Sequence, residues 1–118
     1  NTAVKTWNTY HSNGKIKMTG DYINGAREGE WKVYHENGAM SSQVNFKNHK
    51  KTGTEKTYFP SGKKEVEINY IDGVMNGQYT EYFESGKIKM EGMLKDGAQT
   101  GNWKVYDESG AVTKSVDY

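Results

Sequence analysis

The sequence contains no cysteine, one proline (Pro60) and one leucine (Leu94) in 118 residues. The missing cysteines exclude disulfide staples, thiol catalysis and thiolate metal sites, and leave the redox compartment undecided. Leu, Ile, Val and Phe are together so sparse that the hydrophobic share reaches only 33% with every tyrosine counted, a poverty that commonly accompanies disorder. No apolar run reaches half the length of a membrane span. Charge of one sign is also lacking: 16 Lys and Arg face 15 Asp and Glu, for a formal net charge of +1. That balance removes the dense basic patch with which proteins meet nucleic acid or anionic membranes. What the chain does have is 13% aromatic residues and 14 glycines. It has the length of one domain, 1–118, and it opens Asn1-Thr2-Ala3-Val4-Lys5 without Met, which reads as a trimmed start with any signal peptide missing.

The glycines are periodic. Gly14, Gly38, Gly62, Gly86 and Gly110 recur at one constant interval, and the same interval separates Tyr10, Tyr34, Tyr58, Tyr82 and Tyr106, and again Gly29, Gly53, Gly77 and Gly101. Two further ladders run Trp7, Trp31, Glu55, Tyr79, Trp103 and Tyr22, Phe46, Tyr70, Leu94, Tyr118. Such self-similarity marks a repeat architecture of five units, approximately 6–29, 30–53, 54–77, 78–101 and 102–118. Each unit reads as a β-hairpin. Its first turn, as in Glu36-Asn37-Gly38, suits a three-residue loop with glycine in the left-handed position; its second runs from Asn24-Gly25 to Gly29 and equivalents. Period-2 alternation between turns places Met40, Ser42, Val44 and Phe46 on one side of a strand. The fold class expected is all-β: a single elongated, twisted antiparallel meander of about ten strands built from five 24-residue hairpin repeats.

Two registers remain open. If His35 pairs Ala39 without a bulge, Tyr34 sits beside Met40 on the apolar face and the Trp ladder forms a second surface. A β-bulge near the turn returns the tryptophans to the core. The ladder Tyr10, Tyr34, Tyr58, Tyr82 and Tyr106 is expected to build the aromatic core that replaces the missing aliphatics.

The unit, aromatic-x-x-Tyr-x-x-Asn/Ser-Gly, an alternating strand and Asn/Asp-Gly-x-x-x-Gly, resembles the MORN repeat of the bacterial variant type, best in Trp31 through Gly53 and Tyr79 through Gly101. The resemblance implies a β-hairpin array acting as a scaffold or binding surface; such bacterial proteins often carry the label of toxin–antitoxin antitoxin, and eukaryotic relatives associate with membranes and protein assemblies. Glu55 replaces the aromatic in repeat three and His49 replaces glycine in repeat two.

Little points to chemistry. His11 and His35 occupy the same repeat position, about 10 Å apart, too far to share a zinc ion. His49 reads as a solvated turn histidine. Glu65 and Glu67 fall on one strand face about 7 Å apart, a glycosidase-like spacing that an exposed charged face explains equally well. No enzyme activity, catalytic residue, metal or cofactor is therefore expected. The function expected is a non-enzymatic scaffold that binds a protein partner through a sheet face or edge, with Trp7, Trp31, Tyr79 and Trp103 the candidate partner-binding residues. An antitoxin-like or immunity-like inhibitor and a peripheral membrane module are the alternatives. Residues 1–59 carry about +4 and 60–118 about −3, which suits self-association; the Lys47, Lys50, Lys51 turn is the one basic cluster. Cysteine-free β repeats suit a bacterial envelope or secreted setting, and an antitoxin suits an intracellular one.

Overall fold

The computed structural model describes residues 3–118. Ten strands form one antiparallel sheet in chain order: β1 (Val4–Tyr10), β2 (Ile16–Ile23), β3 (Ala26–Tyr34), β4 (Met40–Lys47), β5 (Lys50–Tyr58), β6 (Lys64–Ile71), β7 (Val74–Tyr82), β8 (Ile88–Lys95), β9 (Ala98–Tyr106) and β10 (Val112–Asp117). Among the described residues every strand pairs only with its sequence neighbours, so β1 and β10 are free edges. The ribbon measures 52 × 34 × 15 Å, the thickness of one sheet with its side chains.

The odd-to-even turns are type I turns closed by glycine. In the second hairpin Gly38 N–H donates to His35 O (2.9 Å), His35 N–H donates to Ala39 O (2.8 Å), and Gly38 has φ of 90°. A bulge follows at once: Tyr34 pairs with Met40 but Val33 pairs with Ser42, leaving Ser41 unmatched. The same shift recurs in all five hairpins. It decides the open register in favour of the bulge. Trp31 lies opposite Val44, and the two join Phe46 in a buried cluster with Met18 and Tyr22 packed against it. Met40 turns with Tyr34 to the other side, so Met40, Ser42, Val44 and Phe46 do not share one face. The Tyr ladder is accordingly not the core. Tyr10 is exposed, and Tyr34, Tyr58, Tyr82 and Tyr106 are half-buried on the face opposite the tryptophans.

The even-to-odd turns are shorter than the Gly spacing suggested. Asn24-Gly25, Asn48-His49, Asp72-Gly73 and Asp96-Gly97 are two-residue turns with both residues at positive φ, the type I′ geometry that matches strand twist. Gly29, Gly53, Gly77 and Gly101 lie beyond them, inside strands, at φ of 70° to 92°. There they make a second bulge: between β2 and β3, Thr19 pairs with Lys32 and Asp21 with Glu28, so three residues of β3 oppose Gly20. Each of the later short turns is also tied to the start of the strand that follows the preceding short turn, by His49 N–H to Arg27 O of β3 (3.0 Å), Gly73 N–H to Lys51 O of β5 and Gly97 N–H to Met75 O of β7 (both 2.8 Å).

His49 is the one short-turn second residue that is not glycine, and it holds φ of 69°. Its ring bonds to half-buried Arg27, Nδ1 accepting from Nε at 3.2 Å, a contact that offsets part of the backbone strain. His49→Gly is expected to raise stability by about 0.5–1 kcal/mol, read as a higher thermal midpoint.

Candidate functional site

The tryptophan face is built on glycine seats. Gly20 and Gly92 have ordinary strand φ, so their role is space: a Cβ on either would lie inside the indole of Trp31 or Trp103. With the seat empty of side chain, the ring lies flat on the backbone, and a single-layer sheet buries a tryptophan to 4% exposure at Trp31 and 5% at Trp103. The indole N–H is satisfied locally, Trp31 Nε1 donating to Asp21 O (3.2 Å) and Trp103 Nε1 to Met93 O (3.0 Å). The two bulges supply the rest of the geometry, one placing the Trp parity on this face and the other drawing β3 and β9 past the glycine.

Two aromatic nodes result. At the N-terminal node Trp7, Tyr22, Trp31 and Phe46 stand edge to face in sequence, at centroid separations of 6.2, 5.2 and 6.0 Å. The Arg27 guanidinium covers Phe46 at 4.6 Å and Trp31 at 5.9 Å. At the C-terminal node Tyr79 stacks on Trp103 at 5.4 Å beside buried Leu94. Of the four sequence-nominated residues, Trp31 and Trp103 form the floors of separate nodes, Tyr79 is half-buried, and Trp7 on edge strand β1 is 51% exposed.

Between the nodes the face turns polar. Glu55 takes the place of an aromatic, and both its carboxylate oxygens accept from Lys51 Nζ, at 3.1 and 3.2 Å. Lys51 also covers the Tyr70 ring at 5.1 Å, so the basic turn cluster foreseen from Lys47, Lys50 and Lys51 loses one member to an ion pair. Glu65 and Glu67 part company here. Glu65 is the unmatched residue of its bulge and accepts from Thr57 on the tryptophan side, whereas Glu67 accepts from Lys64 Nζ (2.7 Å) and Tyr82 OH (3.4 Å) on the other. They form no catalytic pair. The Lys64 ammonium beside Glu67 holds that carboxyl below its usual range. His11 and His35 do not point at one another either: each ring Nε2 donates to a carbonyl of the next repeat, Tyr34 O and Tyr58 O, both at 2.8 Å.

Tyr79 OH donates to Glu81 at 2.8 Å, and burial, followed by that carboxylate, pushes its phenol well above the ordinary value. A phenol whose folded pKa exceeds its unfolded value of about 10 contributes stability that is complete below about pH 10 and is lost as pH rises beyond it. Thermal midpoints of Tyr79→Phe are therefore expected to fall less steeply than wild type above about pH 10.

Sequence reading missed the seats, although their signal was present. Gly20 precedes Trp31, and Gly92 precedes Trp103, by the same offset at which Val44 precedes Glu55 and Ile68 precedes Tyr79.

A family profile described as MORN repeat variant matches residues 4–24, 27–48, 51–72 and 75–96, which are the hairpins β1–β2, β3–β4, β5–β6 and β7–β8. A search of curated proteins finds no match. Solved structures similar to the chain include that of accessory secretory proteins 1, 2 and 3 from Streptococcus pneumoniae, at TM-score 0.47, and the Glycosylation Associate Protein complex of Streptococcus agalactiae, at 0.48. Each is 15% identical over 85% of this chain, which spans 18% of the length of either. With four consecutive hairpins matched and one turn-and-bulge geometry running through all of them, the chain belongs to the family of MORN repeat variants.

Proposed function

We propose that the ribbon is a non-enzymatic protein-binding module that docks a partner protein on its tryptophan face. The observation that carries this reading is an apolar face on a single-layer sheet, with Trp7 half-exposed and Tyr79 half-buried beside the rigid floors of Trp31 and Trp103. Aromatic anchors held rigidly lose little conformational freedom on binding, which favours them as interface centres. Arg27 and the Glu55–Lys51 pair supply polar contacts along the same stripe.

The test uses the purified protein as bait against extracts of its own source cells, with a Trp7→Ala/Tyr79→Ala variant alongside. These two positions are chosen because truncating the buried Trp31 or Trp103 would report on folding. A protein retained by wild type and lost by the folded variant supports the reading. Equal retention by both moves the docking surface off this face.

A further inference from the structure

On the face opposite the tryptophans, polar side chains bond across the hairpins at one repeat position. Thr6 Oγ1 donates to Asp21 (2.9 Å), Thr54 Oγ1 to Asn69 (2.9 Å) and Asn102 Nδ2 to Asp117 (2.8 Å), each donor paired with the residue directly opposite. In the fourth repeat the same two positions hold Gln78 and Met93. A thioether is only a weak acceptor, so the exposed Gln78 amide keeps its donor and its acceptor for another molecule. Met93 itself stands 47% exposed among polar neighbours. Two hollows meet at Gln78: one of about 200 Å³ reaches Glu67, Asn69 and Thr80, and one of about 300 Å³ reaches Glu91, Met93 and Asn102. The first exists because Gly77 has no side chain, since a Cβ there would stand 3.1 Å from Asn69 Nδ2. Each bordering carboxylate is held through one oxygen, Glu67 Oε1 by Lys64 and Tyr82, and Glu91 Oε2 by Tyr106 (2.6 Å).

We infer that this double hollow binds a short glycan, an extended β-1,4-linked chain of N-acetylhexosamine units laid across the strands. Side-chain amides and carboxylates offer the donors and acceptors that sugar hydroxyls need. Met93 beside the open Gln78 amide makes the choice narrower. An acetamido group has a methyl that needs an apolar contact and an N–H and C=O that need an amide, and the two residues supply these side by side. Asn69, Gln78, Met93 and Asn102 lie on four successive strands, β6 to β9, so that groups recur about every 4.8 Å, close to the length of one sugar in an extended chain. The site lies in the interior of the sheet and on the face away from Trp7, Trp31, Tyr79 and Trp103, so a glycan and a protein partner could be held at once.

The experiment titrates the full chain with triacetylchitotriose and, in parallel, with cellotriose, which has the same linkage and no acetamido groups, each to about 20 mM and followed by NMR. Triacetylchitotriose is expected to shift the Gln78 and Asn102 side-chain amides and the Met93 methyl saturably, and to bind at least about tenfold more tightly than cellotriose. Met93→Asp gives Gln78 the kind of partner that Asp117 is to Asn102, and is expected to leave the chain folded and weaken binding at least about tenfold. Gln78→Ala, at an exposed position, is expected to do the same. Absence of shifts with triacetylchitotriose, equal binding of the two sugars, shifts confined to the tryptophan face, or unchanged binding in folded Met93→Asp and Gln78→Ala would each overturn the inference.

Discussion

Gly92→Ile is expected to destabilise the ribbon by about 3 kcal/mol or more, measured by chemical denaturation. The backbone is not the cause, since Gly92 sits at ordinary strand φ; the new side chain occupies the volume of the Trp103 indole, which must leave its seat and abandon its bond to Met93 O. The sharper half of the prediction is rescue. Adding Trp103→Tyr recreates the Ile68/Tyr79 combination found one repeat earlier, and the double variant is expected to be at least about 1 kcal/mol more stable than Gly92→Ile alone. Two losses that simply add would mean that the seat and the ring are independent, and the glycine would then have no bearing on where the tryptophan lies.

Trp31→Ala is expected to cost about 4 kcal/mol, because it empties the centre of the N-terminal node and strips the partners of Tyr22, Phe46 and Arg27 together. Trp7→Ala, in the same ladder and facing the same way, is expected to cost about 1 kcal/mol or less, since half of its surface is already in water. The contrast separates two roles that one residue type plays on one face. Comparable losses at both positions would show that Trp7 is packed in solution.

The strand count, the meander order and the type I turns were legible because glycine and tyrosine ladders at a fixed spacing encode them directly. The side on which the tryptophans fall was not, for a physical reason. A single unmatched residue, Ser41 or its equivalents, inverts the parity of everything beyond it, and a bulge residue needs no distinctive side chain: Lys17, Ser41, Glu65, Lys89 and Thr113 all serve. The same ambiguity put Glu65 and Glu67 on one face and the tyrosines in the core. Gly29 and its equivalents were misplaced into turns because positive φ has the same sequence signature in a turn as in a strand bulge. The glycine seats could have been found by noticing that Gly20 and Gly92 share one repeat position that the other repeats fill with Val44, Ile68 and Val116.

Glu55 shapes the mechanics of the whole ribbon. In a one-dimensional array, order passes between neighbours through whatever they share, and here the hydrogen-bonded ladder is continuous from end to end while the aromatic contacts are not. Two aromatic nodes, one edge to face and one tilted, are thus joined by a charged seam whose side-chain contacts are weakened by salt. If the ribbon docks a partner as proposed, this seam, where the ring contacts stop, is where it is expected to bend to follow a curved surface.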